Sequence, residues 1–506
     1  MVAYCYKSPN RDQQFLLPPS VADWLPEDHL VWFVVDVVSV VDLSRFHARH
    51  PNDGAGRRAY DPVMMLTLLL YAYCVGLRSS RRIAAACRSD LAFKAICVDV
   101  VPAHDAVGRF RADHETAIID VFVDVLTLCA QAGLASLGTI AIDGTKIGSD
   151  AALDQNRSLA SIRAEVERIL AEAADADEHD PPQPPLSGEL PAELARRGTR
   201  LERLQAAAAE IEAQAAARRA VGEAAAQRAA SEAAAGRKLR GRKPSDPHLA
   251  VRRAEADVTA SKAKLLSTRG NKAREQAAQG LAAAEERLVS ATAAATAAGP
   301  GEDLKANTTD PQSRIMKTAS GWVQGYNAQA AVNEGQVVIA ARVTQDHNDV
   351  AQLMPMIEAA VANGRAAGVA DAIGTVVADA GYWSDDNATA PGPDRLIATT
   401  KDWKQRRAAR QLGATTGPPP PQASPLEAME HRLRTEDGAR AYAVRSHTVE
   451  PVFGQAKENR GYRRFMRRGL HAANSEWALI CATSNLLKLF GHANGRSLGH
   501  ILNASI

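Results

Sequence analysis

Three acidic residues stand where chemistry can be done with them. Asp143 ends the run IAID and Asp379 the run VVAD; each aspartate follows a short apolar stretch and precedes a small residue. Glu450 opens the segment EPVFGQAKENRGYRRFMRRG. A buried strand delivers its last side chain to the carboxyl edge of a sheet, where α/β proteins build their sites. Two such strands side by side would bring Asp143 and Asp379 together. Two ionised carboxylates that close repel each other unless a cation lies between them. Mg²⁺ or Mn²⁺, hard and oxygen-preferring, suits that place. Three acids can hold two ions ~3.5–4 Å apart, which activates an attacking oxygen and stabilises a leaving one in phosphoryl transfer. For either aspartate alone the stronger reading is an ordinary turn, since Asp-Gly and Asp-Ala-Gly are common turn formers.

Glu450 changes that weighting. Val449, Val452, Phe453 and Ala456 form an i, i+3, i+4, i+7 stripe, so the segment is a helix with one buried face. Glu450 borders the stripe and is expected to be held near the core. Lys457 follows seven residues on, on the same face and about 10 Å away at ~1.5 Å per residue. Lys457 and the cluster Arg460, Arg463, Arg464, Arg467 and Arg468 are expected to hold the backbone phosphates of a polymer being cut.

The elements that must position these residues are spread over 506 residues, enough for about three domains. The 60 basic and 58 acidic side chains nearly cancel, so local patches rather than total charge decide the partners. The 6 cysteines show no CxxC pair and no zinc spacing, and read as core thiols of a reduced compartment. The start, MVAYCYKSPNRDQQ, lacks a signal-peptide pattern, and the apolar stretch from Asp61 to Gly76 is too short to span a bilayer. A soluble cytoplasmic protein is expected.

Residues 1–135 read as an all-helical unit. In VPAHDAVGRFRADH a turn and helix present Arg109 and Arg111, either to a DNA groove or to solvent; pattern alone favours solvent. Residues 136–155 contain the first strand, GTIAIDGTKIGSD. Residues 156–300 form an Ala/Glu/Arg-rich helical, coiled-coil-like insertion, in which Ile162, Val166, Ile169, Leu194, Leu201, Leu204 and Ile211 recur at helical or heptad intervals. DPPQPPLSG and GRKLRGRKPSDP are expected to break it. Strands and helices alternate over 301–490, which implies an α/β core, and 491–506 form a tail.

These motifs together resemble the DDE transposases of bacterial insertion sequences. AYDPVMMLTLLLYAYCVGLRSSRRI and VGRFRADH resemble their N-terminal helical transposase domain. IAIDGTKI, DPQSRIMKTASGWVQGYNAQAAV, VVADAGYWS and TVEPVFGQAKENRGYRRFMRRGL with EWALICATSNLLKL resemble a ribonuclease H-like catalytic domain. The resemblance implies a mixed sheet with flanking helices. Asp143, Asp379 and Glu450 would be its catalytic, metal-holding triad, with two Mg²⁺ or Mn²⁺ ions. It further implies cleavage at terminal inverted repeats, strand transfer into target DNA, at least a dimer in the DNA complex, and work at the bacterial nucleoid. Some relatives carry Tyr-x-x-Arg-x-x-x-Glu with a Lys further on. Here four residues, not three, separate Arg445 from Glu450, which sets Tyr442 and Arg445 apart from that pattern. A nuclease that only hydrolyses phosphodiesters, or an inactive DNA-binding protein, would share most of these features.

Lesser candidates remain. Arg314 and Lys317 are expected phosphate contacts. Asn327 and Gln329, beside Tyr326, could touch bases or serve the sheet. LRGRKP is a basic linker more often solvated than bound in a minor groove. His347 and His447 are expected to be structural or surface residues, and Asp346 and Asp349 to cap the following helix.

Overall fold

The computed structural model describes residues 21–48, 59–98, 100–179, 192–234, 247–297, 304–400 and 413–503. The chain divides into two compact units: residues up to Asp150 together with those from Met316, and residues Ala151–Ile315. In chain order the strands are β1 (Thr139–Gly148), β2 (Asn156–Ser158), β3 (Lys305–Asn307), β4 (Arg314–Thr318), β5 (Gly321–Asn333), β6 (Val338–Thr344), β7 (Thr375–Ala378) and β8 (Asp394–Ile397).

The first unit is built on a mixed sheet ordered β4-β5-β1-β7-β8, with β6 also paired to β5. β1 lies antiparallel to β5 and parallel to β7, and β8 is parallel to β7. Ile140, Ala141 and Ile142 of β1 and Val376, Val377 and Ala378 of β7 are all buried, as a strand covered on both faces requires. β5 is buried from Gln324 to Asn333 although it carries four amides there. Buried amides must be paired. Asn333 donates to the Leu134 carbonyl at 2.9 Å and accepts the Val337 N–H at 2.9 Å, closing the β5–β6 hairpin.

Helices cover the sheet. Leu470–Ala493 is buried along most of its length and packs on β6 and on helix Glu115–Gln131. It also satisfies the free edge of β6. The Asn485 amide accepts from Val338 N at 2.7 Å and donates to Val338 O at 2.8 Å, while Asn474 accepts from Val343 N at 2.9 Å. A strand edge answered in this way is closed to further pairing. The described N-terminal helices share one apolar core with the sheet, from Val31 through Phe122 to Ile142 and Trp477. The described cysteines of this unit, Cys74, Cys87, Cys97, Cys129 and Cys481, are free and buried, while Cys5 lies outside the described residues.

The second unit consists of helices Leu159–His179, Ala192–Ala234, Pro247–Ser267 and Asn271–Ala297 and the antiparallel β2–β3 pair. Ile162, Ile169, Leu204, Ala207 and Ile211 meet Ala306 in a small core, so the helical spacing of the sequence marks real packing positions. Arg314 belongs to this unit. It is ion-paired with Glu210 and largely buried, a correction to its reading as a phosphate contact, because its charge is already matched. DPPQPPLSG and Leu239–Pro244 lie outside the described residues. Among the described residues no helix is long and apolar enough to cross a membrane.

Candidate active site

The β1–β7 register pairs Ile142 with Ala378 in parallel. Asp143 and Asp379 follow directly. Asp379 lies just past the end of β7, whereas β1 runs on to Gly148, so Asp143 lies within its strand opposite Ala330 of β5 and does not end it as the run IAID suggests. Neighbouring strands lie about 4.8 Å apart. Each aspartate is pinned by the backbone that follows it: Asp143 Oδ1 accepts from Gly144 N at 2.8 Å, and Asp379 Oδ1 from Gly381 N at 2.7 Å. Gly144 has to be small. A Cβ there would stand 2.2 Å from Gln329 Nε2 and 2.7 Å from Asp349 Oδ1.

Glu450 approaches from helix Arg445–Gly454, whose Val449, Val452 and Phe453 are buried with Ala456 just beyond, as the stripe predicts. The link is Arg445. Its Nη2 donates to Asp143 Oδ2 at 2.5 Å and its Nη1 to Glu450 Oε1 at 3.3 Å. Expected near the core, the Glu450 side chain is 56% exposed, because the apolar stripe takes the inner face and leaves the acid on its shoulder. Asp143 is only 16% exposed.

Burial pushes the Asp143 carboxyl up to about 6; Arg445 opposes this, and the nearby Asp379 and Asp349 add to it. An acid held above its ordinary 3.8 binds its proton more tightly folded than unfolded. That advantage is complete below pH 4 and disappears as pH rises through about 6. The difference corresponds to about 3 kcal/mol. Asp143→Asn, always neutral, should therefore match wild type in stability near pH 4. Near pH 7.5 it should be more stable by roughly 1–3 kcal/mol in urea unfolding. Equal stability at both values would contradict the burial of this charge.

Among the described residues, no group of three or more His, Cys, Asp or Glu side chains stands close enough to hold a metal ion as placed. The Arg445 guanidinium occupies the space between Asp143 and Glu450. The donors are nevertheless all carboxylate oxygens, and besides burial the neighbouring Asp379 and Asp349 help to hold the Asp143 carboxyl up against Arg445. That chemistry fits a hard divalent cation.

Two residues of this cluster escape the sequence reading. Arg445 is signalled only by a pattern it misses by one position. Asp349 does not cap its helix turn with its side chain; it receives hydrogen bonds from Asn327, Gln329 and Lys146. The signal for it was the presence of two amides in an apolar strand. Asn327 and Gln329 are buried and bound to Asp349, which removes them as DNA contacts.

The basic residues divide. Lys457 lies in a π-turn, Gln455–Asn459, and its ammonium donates to Thr145 Oγ1 and, at 3.0 Å, to Lys146 O, beside Asp143. Such turns recur at functional sites. Arg460 is buried, bonded to Thr483 Oγ1 at 2.8 Å and set over the Tyr462 ring. Arg111 is buried against Tyr73 and the Arg78 carbonyl, and Arg467 is tied to Glu115 and the Arg111 carbonyl. Arg111 and Arg460 are corrections to the sequence reading, since a guanidinium buried among protein acceptors is not presented to a phosphate, while Arg467 is partly exposed but already paired with Glu115. Arg109, Arg463, Arg464, Arg468 and Lys317 are exposed or nearly so, as are His347 and His447. Gly148 N donates to Arg463 O at 3.0 Å and Phe465 N to Gly148 O at 2.7 Å, which fastens the arginine loop to the far end of β1.

Two family models match the chain. Residues 19–113 match one described as "Transposase domain (DUF772)", and residues 398–490 match one described as "Transposase DDE domain". The two domains identify a DNA transposase. Its catalytic part is of the DDE kind, a class that generally uses divalent metal ions. Glu450 falls within the second match; Asp143 and Asp379 fall outside both. No curated protein and no solved structure matches.

Proposed function

We propose that this transposase cuts DNA at the terminal inverted repeats of its element and joins the freed 3′-hydroxyl to target DNA. Asp143, Asp379 and Glu450 of a ribonuclease H-like domain would hold a pair of Mg²⁺ or Mn²⁺ ions. The observation that carries this reading is the Ile142–Ala378 register, which sets Asp143, inside β1, beside Asp379, just past the end of β7. When bound, the ions would activate the attacking oxygen and stabilise the leaving one. Arg445 keeps the carboxylates of Asp143 and Glu450 together until other cations share them. Lys457 braces β1 immediately after Asp143. Arg463, Arg464 and Arg468 hold phosphates farther along the duplex, since their own side chains are exposed and their ion pairs with Glu458 and the half-buried Asp150 are weak competitors. Two element ends held at once call for at least a homodimer in the DNA complex.

Purified protein with Mg²⁺, end DNA and target DNA tests the proposal. Joined products are expected. Cutting without joining would mark a nuclease, and binding alone an inactive DNA-binding protein. Replacing Arg463 and Arg464 by Ala should lower the salt slope of end binding by about 2. An unchanged slope would remove both from the phosphate path.

A further inference from the structure

Asp349 is an acid that the proposed reaction leaves unused, yet it stands at a convergence. Its Oδ1 accepts from Asn327 Nδ2 at 2.7 Å, Gln329 Nε2 at 2.9 Å and Lys146 Nζ at 3.4 Å. Lys146 lies three residues past Asp143 on β1. Gln329 turns its other end, Oε1, to the Tyr382 hydroxyl. Tyr382 belongs to the turn that begins at Asp379, whose carbonyl takes the Tyr382 N–H at 3.1 Å.

The direction of these bonds is informative. Tyr382 donates to Gln329; Gln329 donates to Asn327 Oδ1 at 3.0 Å and to Asp349; Asn327 donates to the Asp346 carbonyl at 3.1 Å and to Asp349. A chain of donors must end on a group that only accepts, and an ionised carboxylate is such a group. Removing it would strand two buried amides and loosen the ties to Lys146 of β1 and to the turn at Asp379 together.

We propose that Asp349 is a positioning residue, a hydrogen-bond acceptor that fixes Asp143 and Asp379 relative to each other through Lys146 on one side and Gln329–Tyr382 on the other. The role rests on the metal-holding site proposed above. Outer-shell partners of metal ligands typically contribute about 10–100-fold in metal affinity or activity.

The test uses the full chain with Asp349→Asn, Asp349→Ala and Tyr382→Phe. It measures Mn²⁺ affinity without DNA by electron paramagnetic resonance titration, and kcat and KM for end-DNA cleavage. Asp349→Ala should weaken Mn²⁺ binding about 10-fold and lower kcat by up to about 100-fold, with KM within about twofold. Asp349→Asn, which keeps an acceptor oxygen, should stay within about threefold of wild type. Tyr382→Phe should fall between, and should add nothing to Asp349→Ala if the two act through one network. It also decides the matter should Asp349→Ala fail to fold: wild-type values for Tyr382→Phe overturn the proposal. So does Asn as damaging as Ala, which would mean charge rather than acceptance, or a rise in KM with kcat intact. If wild type binds Mn²⁺ but does not cut, the functional reading fails, and the Mn²⁺ titrations alone decide the role of Asp349. A wild type that does neither overturns both.

Discussion

Asp379→Asn is expected to bind end DNA within about twofold of wild type and to cut it at least about 1,000-fold more slowly, as removal of one member of a catalytic unit does. The substitution is nearly isosteric, and the Asn carbonyl oxygen can still accept the Gly381 N–H that Asp379 Oδ1 accepts at 2.7 Å, so the turn survives. What disappears is one of two carboxylates on neighbouring strand segments, Asp143 within β1 and Asp379 just past β7. Asp379 helps to hold the Asp143 carboxyl up, so the Asp143 carboxyl should also move down from about 6 in this variant. Parallel gel-shift and cleavage assays separate the effects. Near wild-type cutting would remove Asp379 from the site; a collapse of binding as well would mean a damaged fold.

The second large effect concerns Trp477. It is 1% exposed, packs near Phe453 of the glutamate helix, and its indole N–H donates to the Gln329 carbonyl at 2.9 Å. The ring thus locks helix Leu470–Ala493 against β5 at the residue whose side chain also reaches Asp349. Trp477→Ala should destabilise the protein by about 3–5 kcal/mol, through lost packing and the cavity left behind. Trp477→Phe should recover much of that packing but leave the carbonyl without its donor. Urea unfolding followed by circular dichroism measures both, and a cost below about 1 kcal/mol for the alanine variant would contradict this account of the packing.

Much of this arrangement is legible in the chain. Short apolar runs before an aspartate mark β7 and the first half of β1, because a buried parallel strand needs apolar residues on both faces, but they do not show that β1 runs on past Asp143 to Gly148. The Val449–Ala456 stripe marks its helix for the corresponding reason. Side-chain reach and inward turning are harder to read. Arg445 and Glu450 are five positions apart, about 140° around a helix at ~100° per residue, so a wheel separates what a long guanidinium joins. Arg109 and Arg111 are two apart, ~200°, so one faces solvent when the other faces the core. A charge run does not reveal which members turn in; the π-turn and the Tyr462 ring decide that for Arg460. The pairing of Asn327 and Gln329 with Asp349 depends on β5 and a distant loop meeting, which no local pattern encodes.

The proposed function requires Asp143, Asp379 and Glu450 to share bound divalent cations. Fe²⁺ substituted for Mg²⁺ and treated with ascorbate and peroxide cuts the backbone beside the metal. Fragments ending within a few residues of positions 143, 379 and 450 are predicted, all three lost together in Asp143→Asn. Cuts at only one of these places, or a pattern that Asp143→Asn leaves unchanged, would contradict the account.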